Sequence, residues 1–154
     1  MKYWLMKTEP STFSVDDLEK APRRTTAWDG VRNYQARNMM RDEFAIGDLA
    51  LLYHSSCDVP GAVAVVKVLK AGYPDATAQD PSHDHYDPKA SAKDPRWYMV
   101  DVQLEKRLSR VVTLDEMRAH ADSALAGMLL LRAGNRLSVT PVERAHFEFI
   151  VSLA

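Results

Sequence analysis

Apolar positions along this chain alternate between strand-like runs and short helical stretches, and that alternation lays out the elements. Tyr3 to Met6 is a dense aromatic and aliphatic run, predicting a buried first strand. Lys7-Thr8-Glu9-Pro10 ends it with polar groups and a proline. Ser14 followed by Asp17 has capping-box spacing and predicts a short helix over Val15 to Lys20, stopped by Pro22. A second helix is predicted over about Tyr34 to Glu43, with Tyr34, Met39 and Met40 facing inward. Asn33, Arg37 and Arg41 fall along one face of that helix.

Leu49 to His54 reads as a strand that turns polar at its end, and Gly61 to Lys70 as a valine-rich strand. Trp97 to Leu104 alternates, with Val100, Val102 and Leu104 on one side. Thr113 and Glu116 form a second capping box, opening a helix to about His120. A further short helix is expected over Ser123 to Leu131 and a brief strand over Leu137 to Val139. Thr140-Pro141-Val142-Glu143 predicts the last helix, with Thr140 as N-cap, Pro141 at N1 and Glu143 at N3. No repeat or linker divides the 154 residues, so a single domain spanning 1–154 is expected. This element order points to an α+β fold, and a small mixed β-barrel surrounded by helices accommodates it.

Between Tyr73 and Pro95 lie four Pro-Asp or Asp-Pro pairs, which mark a long loop rather than a regular element. Loops beyond about 12–15 residues in a small domain are commonly functional. Tyr73 and Tyr86 suggest that this one folds back onto the body.

Composition excludes several function classes. A formal charge of -1 argues against bulk electrostatic binding to long duplex DNA. It leaves room for a local basic strip: Arg23, Arg24, Arg32, Arg37 and Arg41 stand against Asp29. Cys57 is the only cysteine, which excludes an internal disulfide and a cysteine-based zinc cluster. The first residues are apolar for too short a run to be a signal peptide, and no stretch has the roughly 20 apolar residues of a membrane helix. A cytoplasmic location is therefore expected, with no membrane partner.

The chemistry concentrates in Ala27 to Asn38, where a tryptophan in a polar turn is followed by glycine, arginines and amides. A flat indole there can stack on a planar ligand, while the neighbouring groups hydrogen-bond its edge and hold an attached phosphate. Asn33 serves equally as a base-edge group or as a helix cap. His83 and His85, beside Asp80, Asp84 and Asp87, read as solvated polar sequence rather than a metal site. Cys57 has no base marked against it. No catalytic residue, metal or cofactor is expected.

These blocks together resemble the EVE domain family of the PUA-like superfamily. The resemblance rests on Tyr3 to Pro10, Thr26 to Asn38, Gly47 to Ser55, Tyr86 to Lys89, Pro95 to Val102 and Arg136 to Val139, in order across nearly the whole chain. Thr8 stands where many members would have serine, and the hydroxyl is kept. The resemblance implies a β-barrel with one pocket at its mouth, in a free-standing version of the domain. It also implies binding of modified bases, including modified cytosines in DNA, much as the similar YTH domain reads methylated adenine in RNA. On this basis Trp28 is the expected stacking face. Lys7, Thr8, Glu9, Asn33, Tyr53, His54 and Ser55 are the expected base-edge groups, and Arg32, Arg37 and Arg41 the phosphate contacts. The expected partner is a DNA or RNA strand carrying a modified base. Two other readings compete: a binder of structured RNA indifferent to modification, and a hydrolase of modified nucleosides using Glu9, Asp29 or His54 as acid and base.

Overall fold

The computed structural model describes residues 1–154. It is built on six strands: β1 (Tyr3–Thr8), β2 (Thr25–Ala27), β3 (Leu49–His54), β4 (Gly61–Pro74), β5 (Tyr98–Thr113) and β6 (Val139–Val142). Four α-helices accompany them: α1 (Val15–Lys20), α2 (Tyr34–Asp42), α3 (Leu114–Arg118) and α4 (Arg144–Ser152). The strands form one mixed sheet in the order β2-β5-β4-β3-β1-β6, with β1 and β3 parallel and the other pairs antiparallel. The α+β class is as expected. The barrel is not: β2 and β6 are free edges, so the sheet stays open.

Two cores flank this sheet. One packs Trp4, Met6, Ala50, Leu52, Val66 and Val100 against α1 and α2; the other packs Leu5, Leu51, Val65 and Val112 against α3 and α4. Burial on both faces explains why β3 and β4 are near-continuous apolar runs rather than alternating ones. Each core strand therefore has two lives, and the parity of a residue decides which face it serves.

Several boundaries differ from expectation for identifiable reasons. Thr140 and Pro141 belong to β6, paired with Leu5 and Trp4, and α4 starts at Arg144 without a side-chain cap. Covering the edge of β1 outweighs a good local cap, and an edge strand tolerates proline. Ser123 to Leu131 is a series of turns ending in a 3₁₀ turn over Leu129–Leu131, interrupted by Gly127 at φ 81°. Tyr34 is 51% exposed instead of inward, because it stacks on Trp97 at the surface. Both early helix starts hold: the Ser14/Asp17 capping box is complete, and the Asn33 side chain accepts from the Ala36 N–H. The long loop is ordered and does fold back. Trp97 donates its indole N–H to Asp87 at 2.7 Å and Arg32 donates to the His85 carbonyl at 2.6 Å, whereas Tyr73 belongs to β4 and Tyr86 is exposed. No helix is long and apolar enough to cross a membrane.

Candidate functional site

A cavity of about 670 Å³ opens where the end of β1, the segment after β2 and the long loop converge. Its size falls within the range of small-molecule sites. Three of its walls have separate origins. Lys7 and Thr8 close the carboxyl end of β1, still paired with Tyr53 and His54 of β3, and Glu9 follows them into the cavity. Thr26 to Arg32 continue from edge strand β2, held to β5 by the Trp28 N–H donating to Val100 at 2.8 Å. His83 and His85 descend from the loop.

Trp28 is only 8% exposed and packs into the core with Val31 and Val100. It is a cavity wall rather than an open platform at a rim. Phe13 forms part of the same lining. Gly30 makes the turn beyond Trp28 at φ 76°, a conformation L side chains rarely adopt. A Cβ there would lie 2.5 Å from the His85 ring, so glycine is also what lets that imidazole close the wall.

Beneath this turn sits Asp75, with no exposure at all. It accepts from the Gly30 N–H at 2.9 Å, from the Arg32 guanidinium at 3.1 Å, and from the Thr77 N–H and hydroxyl. Burial pushes this carboxyl upward, but the bonds from Thr77, Gly30 and Arg32 outweigh it and hold it below the usual carboxylate range. Asp75 thus ties the far end of the cavity's tryptophan segment, at Gly30 and Arg32, to the loop. Its sequence signal was a Pro-Asp pair, which reads as a turn and not as an anchor.

The expected phosphate contacts are engaged elsewhere. Arg32 lines the cavity, yet its nitrogens donate to Asp75, to Val31 and, at 2.6 Å, to the His85 carbonyl. Arg37 donates to the Arg96 carbonyl and lies over the Tyr34 ring; Arg41 pairs with Asp42. Arg32 and Arg37 brace the fold against the long loop, whereas Arg41 bonds only its sequence neighbour at the surface.

Four of the expected base-edge groups also have other work. Tyr53 is buried in the core on the opposite face of the sheet. Asn33 caps α2. His54 accepts the Val15 N–H on Nε2 at 3.1 Å, and burial pushes its pKa down, both favouring the neutral ring. Ser55 does not line the cavity, although its N–H donates to Thr8. That leaves Lys7, Thr8 and Glu9 from the expected set, together with Trp28. The Thr8 hydroxyl proton goes to the Phe13 carbonyl at 2.7 Å, so toward a ligand it can only accept. Burial lowers the Lys7 pKa without pairing it to a carboxylate.

Asp29, which the sequence reading named only for a hydrolytic role, meets His83 and His85, which it read as solvated polar sequence, at the cavity. Their candidate ligand atoms lie within 4.8 Å of one another, with His85 Nδ1 3.8 Å from Asp29 Oδ1. Such a trio has metal-ligating chemistry. However, His83 Nδ1 accepts the His85 N–H at 3.0 Å, which in the neutral ring puts the His83 proton on Nε2. Holding a cation would require that bond to be released. As it stands, the cavity edge offers carboxylates as acceptors and an ammonium and an imidazole N–H as donors. This suits the mixed donor and acceptor edge of a nucleobase.

A family model described as EVE domain matches residues 2–153. Mouse thymocyte nuclear protein 1 is 43% identical over 98% of this chain and 73% of its own length. Among solved structures, human THYN1 protein in complex with 5-methylcytosine-containing DNA superposes with a TM-score of 0.93 at 38% identity, covering 99% of this chain and 97% of that one. A hypothetical protein from Leishmania major gives 0.91 at 41% identity, covering 99% and 94%. The expected cytoplasmic location is overturned by these relatives, which are named as nuclear proteins in mouse, rat and human. With the family model and the relatives agreeing over nearly every residue, the chain belongs to the EVE domain family.

Proposed function

We propose that this protein is a non-catalytic module that reads a modified cytosine in DNA, taking the base into the cavity walled by Trp28. The observation that carries this reading is the cavity itself, apolar on the Trp28 and Phe13 side and lined at its edge by Lys7, Glu9, Asp29 and His83. Its close structural match to a protein crystallised with 5-methylcytosine-containing DNA supports both the ligand class and the choice of DNA over RNA. In this reading Trp28 and Phe13 cover the ring, a carboxylate accepts from the exocyclic amine, and Lys7 or His83 donates to the carbonyl side. Extracting a base costs a few kcal/mol. Stacking returns about 1–3 kcal/mol per base, so the edge contacts supply the remainder.

A hydrolytic role has weaker support. His54, the natural general base among the candidates, uses its Nε2 lone pair on Val15 and does not line the cavity. The test is fluorescence anisotropy on short DNA strands carrying one cytosine, 5-methylcytosine or 5-hydroxymethylcytosine, with product analysis by mass spectrometry. Saturable binding without product is expected, weakened at least tenfold in Trp28→Leu, which fills most of the core space but removes the indole. Unchanged binding by a folded Trp28→Leu variant, or release of a base, overturns the proposal.

A further inference from the structure

Arg23 and Arg24, in the turn before β2, are exposed and make no side-chain hydrogen bond or ion pair. Both sit at positive φ, 56° and 51°, where L residues are uncommon and glycine would be at ease. Two such residues in succession need external restraint, and the turn has it. The Arg23 carbonyl accepts from the Thr25 hydroxyl and from the Gln103 side chain, each at 3.0 Å, while the Arg24 N–H donates to Ala21 at 2.8 Å. The backbone is therefore fixed in a strained shape that presents two guanidinium groups to solvent.

Neither side chain takes part in an ion pair, and both residues are exposed. Of the acidic residues of neighbouring α1, Asp16 and Glu19 are already paired with Arg107 at 2.7 Å, and Asp17 accepts the Ser14 N–H in the capping box. The turn leads directly into β2, a free sheet edge, and Thr26, two residues beyond Arg24, lines the cavity. Strain maintained by surrounding bonds and unused by any internal contact is a recurrent mark of a functional segment.

We infer that the Arg23–Arg24 turn is a clamp for the phosphodiester backbone of the strand whose base enters the cavity; this rests on the base-reading function proposed above. Arginine suits the role because its planar fork matches phosphate oxygens. The clamp supplies affinity and register without sequence choice.

The experiment compares wild type with an Arg23→Gly/Arg24→Gly pair, which removes charge and relieves the backbone, and an Arg23→Lys/Arg24→Lys pair, which keeps charge. Each is titrated with a short 5-methylcytosine strand over a salt series and with free 5-methyl-2′-deoxycytidine. The glycine pair should raise the melting temperature yet weaken strand binding about tenfold. Its log K against log salt slope should flatten by about 1.5, two phosphate contacts' worth. Nucleoside binding should not change, and the lysine pair should keep the wild-type slope. If wild type binds strand and nucleoside and the glycine pair matches it in affinity and slope, the clamp alone is wrong. If wild type binds neither, the base-reading pocket and the clamp fall together.

Discussion

Replacing Asp75 with asparagine isolates what holds the cavity in shape. The substitution keeps size and one oxygen, so the bonds from Thr77 survive on Oδ1. The second oxygen becomes an amide nitrogen facing the Gly30 N–H and the Arg32 guanidinium, donor against donor. Removing one partner of a buried ion pair costs about 3–5 kcal/mol. The Arg32 side chain is 25% exposed and recovers some hydration, so about 3 kcal/mol is the expected loss. At a urea slope of about 2 kcal/mol/M, the unfolding midpoint should drop by about 1.5 M. The pH dependence follows from the depressed carboxyl. Its contribution is complete above the unfolded value of about 3.9 and is lost as pH falls through the lower folded value. The gap between wild type and variant should therefore close in acid. An Asp75→Asn midpoint within a few tenths of a molar of wild type at pH 7 would refute the anchoring argument.

His54 anchors α1, so its protonation should loosen the fold. Its folded pKa is lowered by burial, so its contribution is complete above about 6.5 and declines as pH falls toward the lower folded value. Urea melts of wild type and His54→Ala across that window should converge at low pH, while base binding by His54→Ala at neutral pH stays intact. At Gly30, an alanine meets both a positive φ and the His85 ring; Gly30→Ala should lower stability by about 1–2 kcal/mol. It should also displace the His85 imidazole, visible as a shift of its NMR ring signals.

Local rules read the sequence well where local forces decide. Ser14 with Asp17 and Asn33 with Ala36 are complete within four residues, and both helix starts appear where the spacing put them. Thr140 failed as a cap because its strand is needed at the edge of β1, more than 130 residues away in sequence. The candidate site divides along the same line. Lys7, Thr8, Glu9 and Trp28 sit on segments whose ends were legible, and they do meet. Arg32 and Arg37 were legible as cations but not as braces, because Asp75 and the Arg96 carbonyl reach them from a loop without periodicity. His83 and His85 enter the cavity for the same unreadable reason.

The size of the cavity and the chemistry of a methyl group together bound how selective this pocket can be. A methyl adds one small apolar surface, and burying it is worth about 0.8 kcal/mol. That corresponds to about a fourfold preference for 5-methylcytosine over cytosine in otherwise identical strands. A cavity of about 670 Å³ with polar residues around its edge does not by itself exclude water from the methyl, so burial alone offers no larger factor. Discrimination against thymine should be greater. Thymine carries the same methyl but replaces the exocyclic amine with an acceptor, which would face the Glu9 or Asp29 carboxylate unpaired. An unmatched polar group of that kind costs about 1–3 kcal/mol, or roughly five- to 150-fold. Competition titrations with three strands differing at one position measure both ratios. A methyl preference near a hundredfold, or thymine bound as well as 5-methylcytosine, would mean that the base is held by some surface other than this edge of carboxylates.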